Sequence, residues 1–516
     1  MERRFAPRQS LFWAANPVIL VSILLIAIGG CQKTTVEAPR AAAEPGASES
    51  AGGEEIWEAL FLENAKIGYS RTLIRPVVRG DQKLVQIETQ NHMTLLRFGQ
   101  SVEQDLNLST LETPDGRVRQ FTTEASFGTN PVRFIGRVDS QQMVIETRGR
   151  PGSSRIPWSD AFRGFRGVEQ SLADKPLAPG ERRTLQVLAP LVNQVARVEL
   201  TGRDVETTAV LGTPQKLLRI DTVAHLPDGN VMEETLWTDK RGETIKRRVE
   251  AMQQESHRTS RQLATAAARG KVSFDLGTNT LVKLDKPLAD PHHASTIRYR
   301  VELTSADPTK VFASGSTQSL RALGPHAAEL TVRRLLPGHG PPKNSTQVPA
   351  EYRVANSLLE IGDPRIREMA EQARGGLRDP REVAVRLEHY VHDIVATKDF
   401  SQTFATAAET AQSRQGDCTE HAVLLAALAR ACGIPSRVAI GLVYVPRSQG
   451  FGYHMWTELF LDGEWTPFDA TLGLGGIGAG HLKISDSSLA GAGAYSTFLS
   501  VAQVVGQLKI SVLDVE

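Results

Sequence analysis

The chain has 516 residues, with 59 basic against 58 acidic side chains, 41% hydrophobic and 6% aromatic residues. That length is more than one core serves, so about two to four domains are expected. The near-zero net charge leaves no electrostatic footprint for nucleic acid, and no block of like charge marks an interaction tail.

Arg3, Arg4 and Arg8 precede an uncharged stretch from Ser10 to Gln32, centred on the apolar run Val18 to Ile28 and closing on Gly29-Gly30-Cys31. A basic end, an apolar middle and small residues before a cut make a secretory signal. Cys31 directly after Gly30 resembles the bacterial lipoprotein lipobox, with Ile28 where Leu is usual and Gly29 where Ala or Ser is commoner. The resemblance implies that Cys31 is lipidated and becomes the mature N-terminus. The alternative is an uncleaved single-span anchor, because about 20 apolar residues cross a bilayer. Both readings export the remainder and leave the basic end inside, which predicts a membrane-anchored envelope protein on the periplasmic face.

Cys31, Cys418 and Cys432 are the only cysteines. Cys418 and Cys432 fall on one expected helix, too far apart to bond each other. No disulfide framework is therefore expected, and an unpaired cysteine in an oxidising compartment marks a reactive thiol.

Residues 32–53 are rich in Ala, Glu, Pro, Gly and Ser without an apolar period, the composition of a flexible linker. Residues 54–290 read as a β-rich domain. Runs such as Ile56 to Leu62, Lys66 to Leu73 and Leu84 to Glu88 alternate apolar and polar residues between Gly, Asp and Asn breaks. A large antiparallel sheet of roughly ten or more strands, curved or partly closed, is the expectation. The polar, Ala-rich segment from Met252 to Arg269 reads as helix or linker. Residues 291–350 form a small β module or a lead-in, with strands at Ile297 to Leu303 and Glu329 to Arg333. His292 and His293 lack an acid or cysteine at ligand spacing, so no metal is assigned to them.

Residues 351–516 change period. Asp363-Pro364 and Asp379-Pro380 each set a capping acid before a proline suited to the first helical turn, and Glu382 completes a capping box with Asp379. Val383, Leu387, Val391 and Ile394 make one apolar stripe. A third helix is expected from Thr403 to Ser413. A fourth begins at Asp417, is apolar nearly all round to Ala431 and stops at Gly433. Arg437 to Tyr444, Met455 to Leu461 and Trp465 to Phe468 read as consecutive strands, and Gln507 to Leu513 as a closing one. Helices followed by antiparallel strands give an α+β domain.

The chemistry concentrates between Gly416 and Asp469. A thiol attacks as thiolate, and Cys418 in the first turn of a helix receives the partial positive charge that stabilises one. An imidazole beside it returns a proton to a leaving amine, and an acid behind the imidazole sets its tautomer. His454 and Asp469 lie on neighbouring expected strands and can meet on one face. Asp417 and Glu420 suit the helix cap, His421 is the rival imidazole, Trp456 a wall of the site and Cys432 a packing residue. The second donor of an oxyanion hole is assigned to Gln412 or Gln415, beside the Cys418 backbone N–H. The glycines from Gly473 to Gly478 match a dinucleotide fingerprint but lack the following helix, and read as a flexible loop beyond the acid.

Gly416-Asp417-Cys418-Thr419-Glu420-His421-Ala422, Gly433-Ile434-Pro435-Ser436-Arg437, His454-Met455-Trp456-Thr457-Glu458 and Trp465-Thr466-Pro467-Phe468-Asp469 closely resemble the bacterial transglutaminase-like superfamily. The resemblance runs from about Asp363 to Thr471 and implies a papain-like fold with Cys418 as nucleophile, His454 as base and acid, and Asp469 as orienter. The family usually has Asp-Pro-Thr at the acid, where this chain has Asp469-Ala470-Thr471. The expected activity is acyl transfer from an amide of a protein or peptide through a thioester on Cys418, with water or an amine as acceptor. No metal or organic cofactor is called for, and no acidic calcium loop is legible. The competing reading is a non-catalytic envelope scaffold or peptide-binding lipoprotein.

Overall fold

The computed structural model describes residues 53–516 except 98, 127–130, 149–152, 228, 251–252, 268–274, 305, 337–346, 398–404, 492–498, 503 and 505. The apolar run, Cys31 and the linker up to residue 52 lie outside the described residues.

Alternation builds the first large unit. In Val118–Ser126 the residues Phe121, Thr123 and Ala125 are buried while those between them are not, the period of a strand with one covered face. Fourteen described strands, from Glu54–Leu62 to Gln254–Thr259, form one sheet. The first eight pair each with the next as a meander, and so do the last six. The two meanders join where Glu54–Leu62 lies antiparallel to Gln254–Thr259, with Trp57 opposite Thr259. The segment expected as helix or linker around Met252 to Arg269 instead supplies this closing strand, and among its described residues only Arg261–Thr265 is helical. Its polarity is misleading because its polar side chains find partners within the sheet. Ser256 Oγ donates to Glu58 at 3.0 Å, and the His257 ring meets the Glu255 carboxylate at 2.9 Å.

A four-stranded sheet follows in the order Gln318–Gly324, Ala327–Arg333, Thr296–Leu303, Leu508–Val515. The closing strand of the chain thus pairs with the start of the small β module. This sheet bonds directly to the C-terminal core: Tyr299 Oη donates to the Ala479 carbonyl at 2.9 Å, and the Lys483 N–H donates to Gln318 Oε1 at 2.9 Å.

The core contains helices Pro364–Arg374, Pro380–Ile394, Ala407–Ser413 and Cys418–Ala431. Asp363 and Asp379 cap the first two through the N–H groups of Arg365 and Arg381, each with proline at the opening position. The third starts at Ala407 behind a Thr406–Glu409 capping box; its expected start at Thr403 lies outside the described residues. The fourth is buried along its whole length from Cys418 to Arg430. Against it packs a sheet ordered Val282–Lys283, Gly450–Leu461, Ser436–Val445, His481–Ser487, with Glu464–Phe468 also on the Gly450–Leu461 strand. The last of these, His481–Ser487, is a strand the sequence reading does not anticipate. Among the described residues no helix is long and apolar enough to cross a membrane.

Candidate active site

Cys418 is the first residue of its helix, and a reciprocal cap fixes that helix start. Asp417 Oδ1 accepts from the Thr419 N–H at 2.8 Å, while Glu420 Oε2 accepts from the Asp417 N–H at 2.9 Å. Glu420 also accepts from the Ala405 N–H at 3.1 Å. Burial, reinforced by the charge of Asp417, pushes the Glu420 carboxyl well above the usual range.

The strand carrying His454 has an open stretch of edge. Gly450 and Phe451 pair with Val282–Lys283, and Thr457 to Leu461 pair with Glu464–Phe468, so residues 452–456 have no strand on that side among the described residues. On the other side Gly441 lies opposite His454, and a Cβ there would meet the Leu482 carbonyl oxygen at 2.0 Å. Only glycine permits that close pairing.

His454 Nε2 donates to Asp469 Oδ2 at 2.8 Å, and Cys418 lies near enough to the same imidazole to help raise its pKa. With Nε2 committed to the acid, Nδ1 is the nitrogen left for sulfur. All three residues are buried: Cys418 and His454 are each 7% exposed, and Asp469 1%. Burial alone would depress the His454 pKa. The Asp469 carboxylate and Cys418 overcome it and push the value up to about 10. Asp469 moves the other way: burial opposes its ionisation, and His454 with His481 holds it well below the usual carboxylate range.

Asp469 is held on every side. Its Oδ1 accepts from the Thr471 N–H at 2.9 Å, and its own N–H donates to Glu388 Oε1 at 2.9 Å. The turn is closed by the Leu472 and Gly473 N–H groups on the Asp469 carbonyl, at 3.0 and 2.8 Å, with alanine at position 470.

The structure thus brings Cys418, His454 and Asp469 together. It does not bring Gln412 to them. Gln412 is exposed near the end of its short helix, and its Oε1 accepts from Arg365 at 2.6 Å. Gln415 is half-buried with its main chain bridged to Thr397; among the described contacts none joins its side chain to the thiol. His421 donates from Nδ1 to the Asp417 carbonyl at 2.5 Å, a backbone tie one turn away. Trp456 lies nearly parallel to His454, with ring centroids 6.4 Å apart. Cys432 is half-buried and unbonded to Cys418, and its thiol donates to the Ala370 carbonyl at 3.6 Å.

Two site residues escape the sequence reading. His481 Nε2 donates to Asp469 Oδ2 at 3.0 Å, sharing that oxygen with His454. Glu388, within the apolar stripe of its helix, is fully buried, and its carboxylate oxygens accept from Asp469 and from the Gly476 N–H at 3.1 Å. The glycine run from Gly473 to Gly478 is therefore anchored to this carboxyl. Gly473, Gly475 and Gly476 take φ of +64°, +73° and +126°, the region that suits glycine.

The His454, Asp469 and His481 donor atoms all lie within 4.8 Å of one another, a set with metal-ligand chemistry. Here both imidazoles donate N–H to the carboxylate, so a cation would have to displace two protons. His292 donates to the Tyr444 carbonyl at 3.0 Å and His293 meets Asp290 at 2.8 Å, so each ring has a partner of its own.

A thiol at a helix start, with an imidazole and an acid from adjoining strands, defines a Cys-His-Asp domain of α+β build. Residues 367–470 match the model of the transglutaminase-like superfamily, so this stretch is a transglutaminase-like domain. No curated protein matches the chain. Among solved structures, a protein of Cytophaga hutchinsonii provisionally described as a cysteine protease is 12% identical, with a TM-score of 0.29, covering 43% of this chain and 89% of its own. One of Parabacteroides distasonis, provisionally described as a protease, is 8% identical at a TM-score of 0.17, covering 53% and 64%. A β-barrel-like protein of Brucella abortus, from a domain family of unknown function, is 11% identical at 0.27, covering 41% and 97%. Likeness at this level adds nothing to the geometry above.

Proposed function

We propose that the chain is a cell-envelope thiol enzyme that acts on amide bonds of proteins or peptides through an acyl-enzyme on Cys418. The Cys418 thiolate attacks the amide carbonyl carbon, and the imidazolium of His454 gives its proton to the departing amine as the C–N bond breaks. Water or a second amine then attacks the thioester carbonyl, yielding its proton to His454, and the C–S bond breaks to restore the thiolate. Asp469 keeps Nε2 protonated and Nδ1 facing sulfur throughout. Hydrolysis is the favoured outcome, because water is abundant and no amine-binding feature is legible in the sequence. Attachment through a lipid on Cys31 belongs to the same proposal and rests on the sequence alone.

The observation that carries the reading is the 2.8 Å His454–Asp469 bond on an imidazole whose pKa the neighbouring Cys418 helps to raise. It is tested by labelling the full-length chain with iodoacetamide at pH 6. Cys418 is expected to react on the order of 100-fold faster than Cys432, which should behave as an ordinary protonated thiol. His454→Ala should abolish the difference. Equal, slow labelling of both cysteines in the wild type would leave only a tethered binding protein.

A further inference from the structure

Resting on that reading, we propose that His481 is a positioning residue of the same site, a second imidazole that locks Asp469 in the orientation and charge state His454 requires. Its ring is completely enclosed, with a side-chain exposure of 0%, and reaches Asp469 Oδ2 at 3.0 Å. The geometry dictates its chemistry. Facing a carboxylate, Nε2 must carry the proton, so Nδ1 in the neutral ring is a bare acceptor. Nδ1 is buried without a hydrogen-bond partner, so protonating it would strand a buried N–H and a buried charge. His481 is thus a permanent neutral donor and does not compete with His454 for the role of cation. Burial pushes its pKa down to about 4, in keeping with that assignment.

The surroundings hold this ring in place. Trp456 meets it edge-on at 5.3 Å and His292 at 5.6 Å, with His292 itself tied to the Tyr444 carbonyl. His481 opens a strand paired to Ser436–Val445, with Val443 opposite, and that strand in turn pairs with the one bearing His454. One sheet therefore presents both imidazoles to a single carboxylate oxygen. Without the second donor, Oδ2 would have one partner and the carboxylate would take up a proton more readily.

The test uses the full-length chain and the pH profile of Cys418 alkylation. His481→Leu should slow alkylation at pH 6 by roughly tenfold. It should also move the acid-side midpoint to higher pH, because an under-bonded Asp469 protonates sooner. His481→Gln, whose amide can still donate, should return the midpoint towards wild type. In an Asp469→Asn background His481→Leu should add little, since the residue acts through the acid. A midpoint unmoved by His481→Leu, or losses that simply multiply in the double variant, would overturn the inference while leaving the Cys418 mechanism standing. A wild type with no fast thiol would instead sink the mechanism. Should His481→Leu not fold, nitrogen-15 histidine spectra of the wild type still decide. The signal lost in His481→Gln must be a neutral ring protonated at Nε2 at pH 7, and a ring protonated at Nδ1 rules the role out.

Discussion

One oxygen, Oδ2 of Asp469, receives N–H bonds from two imidazoles of opposite character: His454 is raised to about 10 and His481 lowered to about 4. Both rings are buried, and burial depresses both; at His454 the Asp469 charge and Cys418 outweigh it, whereas His481 is lowered further by the charges of His454 and His292. Asp469→Asn should therefore remove the charge that overcomes burial at His454. The imidazole would then lose its proton below its ordinary value of 6.5, and the thiolate–imidazolium pair would be absent at neutral pH. Alkylation of Cys418 at pH 7 is expected to fall by about 100-fold or more, with its optimum shifted, as a rate–pH profile would show. The same shifts fix how stability depends on pH. The raised His454 contributes fully below its unfolded pKa of about 6.5 and loses that contribution as pH climbs through about 10. His481 has the reverse sign: below about 6.5 the unfolded chain binds its proton more readily, so stability drains away as pH falls towards 4.

At the scale of elements, the acid depends on a carboxyl from another helix. Glu388 of Pro380–Ile394 accepts from the N–H groups of Asp469 and Gly476, and so holds both ends of the loop that carries the acid. Burial first, then the charge of Asp469, pushes its pKa up to about 8. A raised carboxyl stabilises most below its unfolded pKa of about 4.5, and the contribution is lost as pH rises through 8. Glu388→Gln keeps an acceptor oxygen and cannot ionise. Its melting temperature should fall less than that of the wild type between pH 6 and pH 9; parallel declines would mean that the loop ignores this charge. The element also shows what a linear reading of the chain can and cannot find. Cys418, His454 and Asp469 are legible because a helix cap and two strand motifs flag them locally. Glu388 looks like a polar interruption in an apolar stripe, since its purpose lies in a loop some eighty residues away. His481 follows a glycine run that reads as loop, and the polar residues of its strand hide its period. Arg430 is similar: on a helix apolar nearly all round, its guanidinium bonds the Val354, Ser436 and Ser488 carbonyls, none adjacent in sequence.

For the molecule as a whole, alternation makes a large antiparallel sheet legible, but not that its two meanders close on each other through Glu54–Leu62 and Gln254–Thr259. Pairing of distant strands leaves no local trace when the closing strand, Gln254–Thr259, carries no apolar alternation of its own. The four-stranded sheet makes the same point, since Leu508–Val515 returns to Thr296–Leu303 across the whole C-terminal core. The attachment proposed for this assembly turns on one atom, the Cys31 sulfur. A lipidated cysteine binds a membrane through its acyl chains, at ~0.8 kcal/mol per buried CH₂, whereas an uncleaved anchor relies on the apolar run itself. The two differ in covalent structure. Fed a fatty-acid label in a bacterial host, the lipoprotein should incorporate it, lose everything before Cys31 from its mass, and forfeit the label in Cys31→Ser. An unlabelled chain that keeps its first residues in the membrane fraction would establish the anchor instead. Either result leaves the Cys418 chemistry to be judged on its own labelling, because Cys31 takes no part in it.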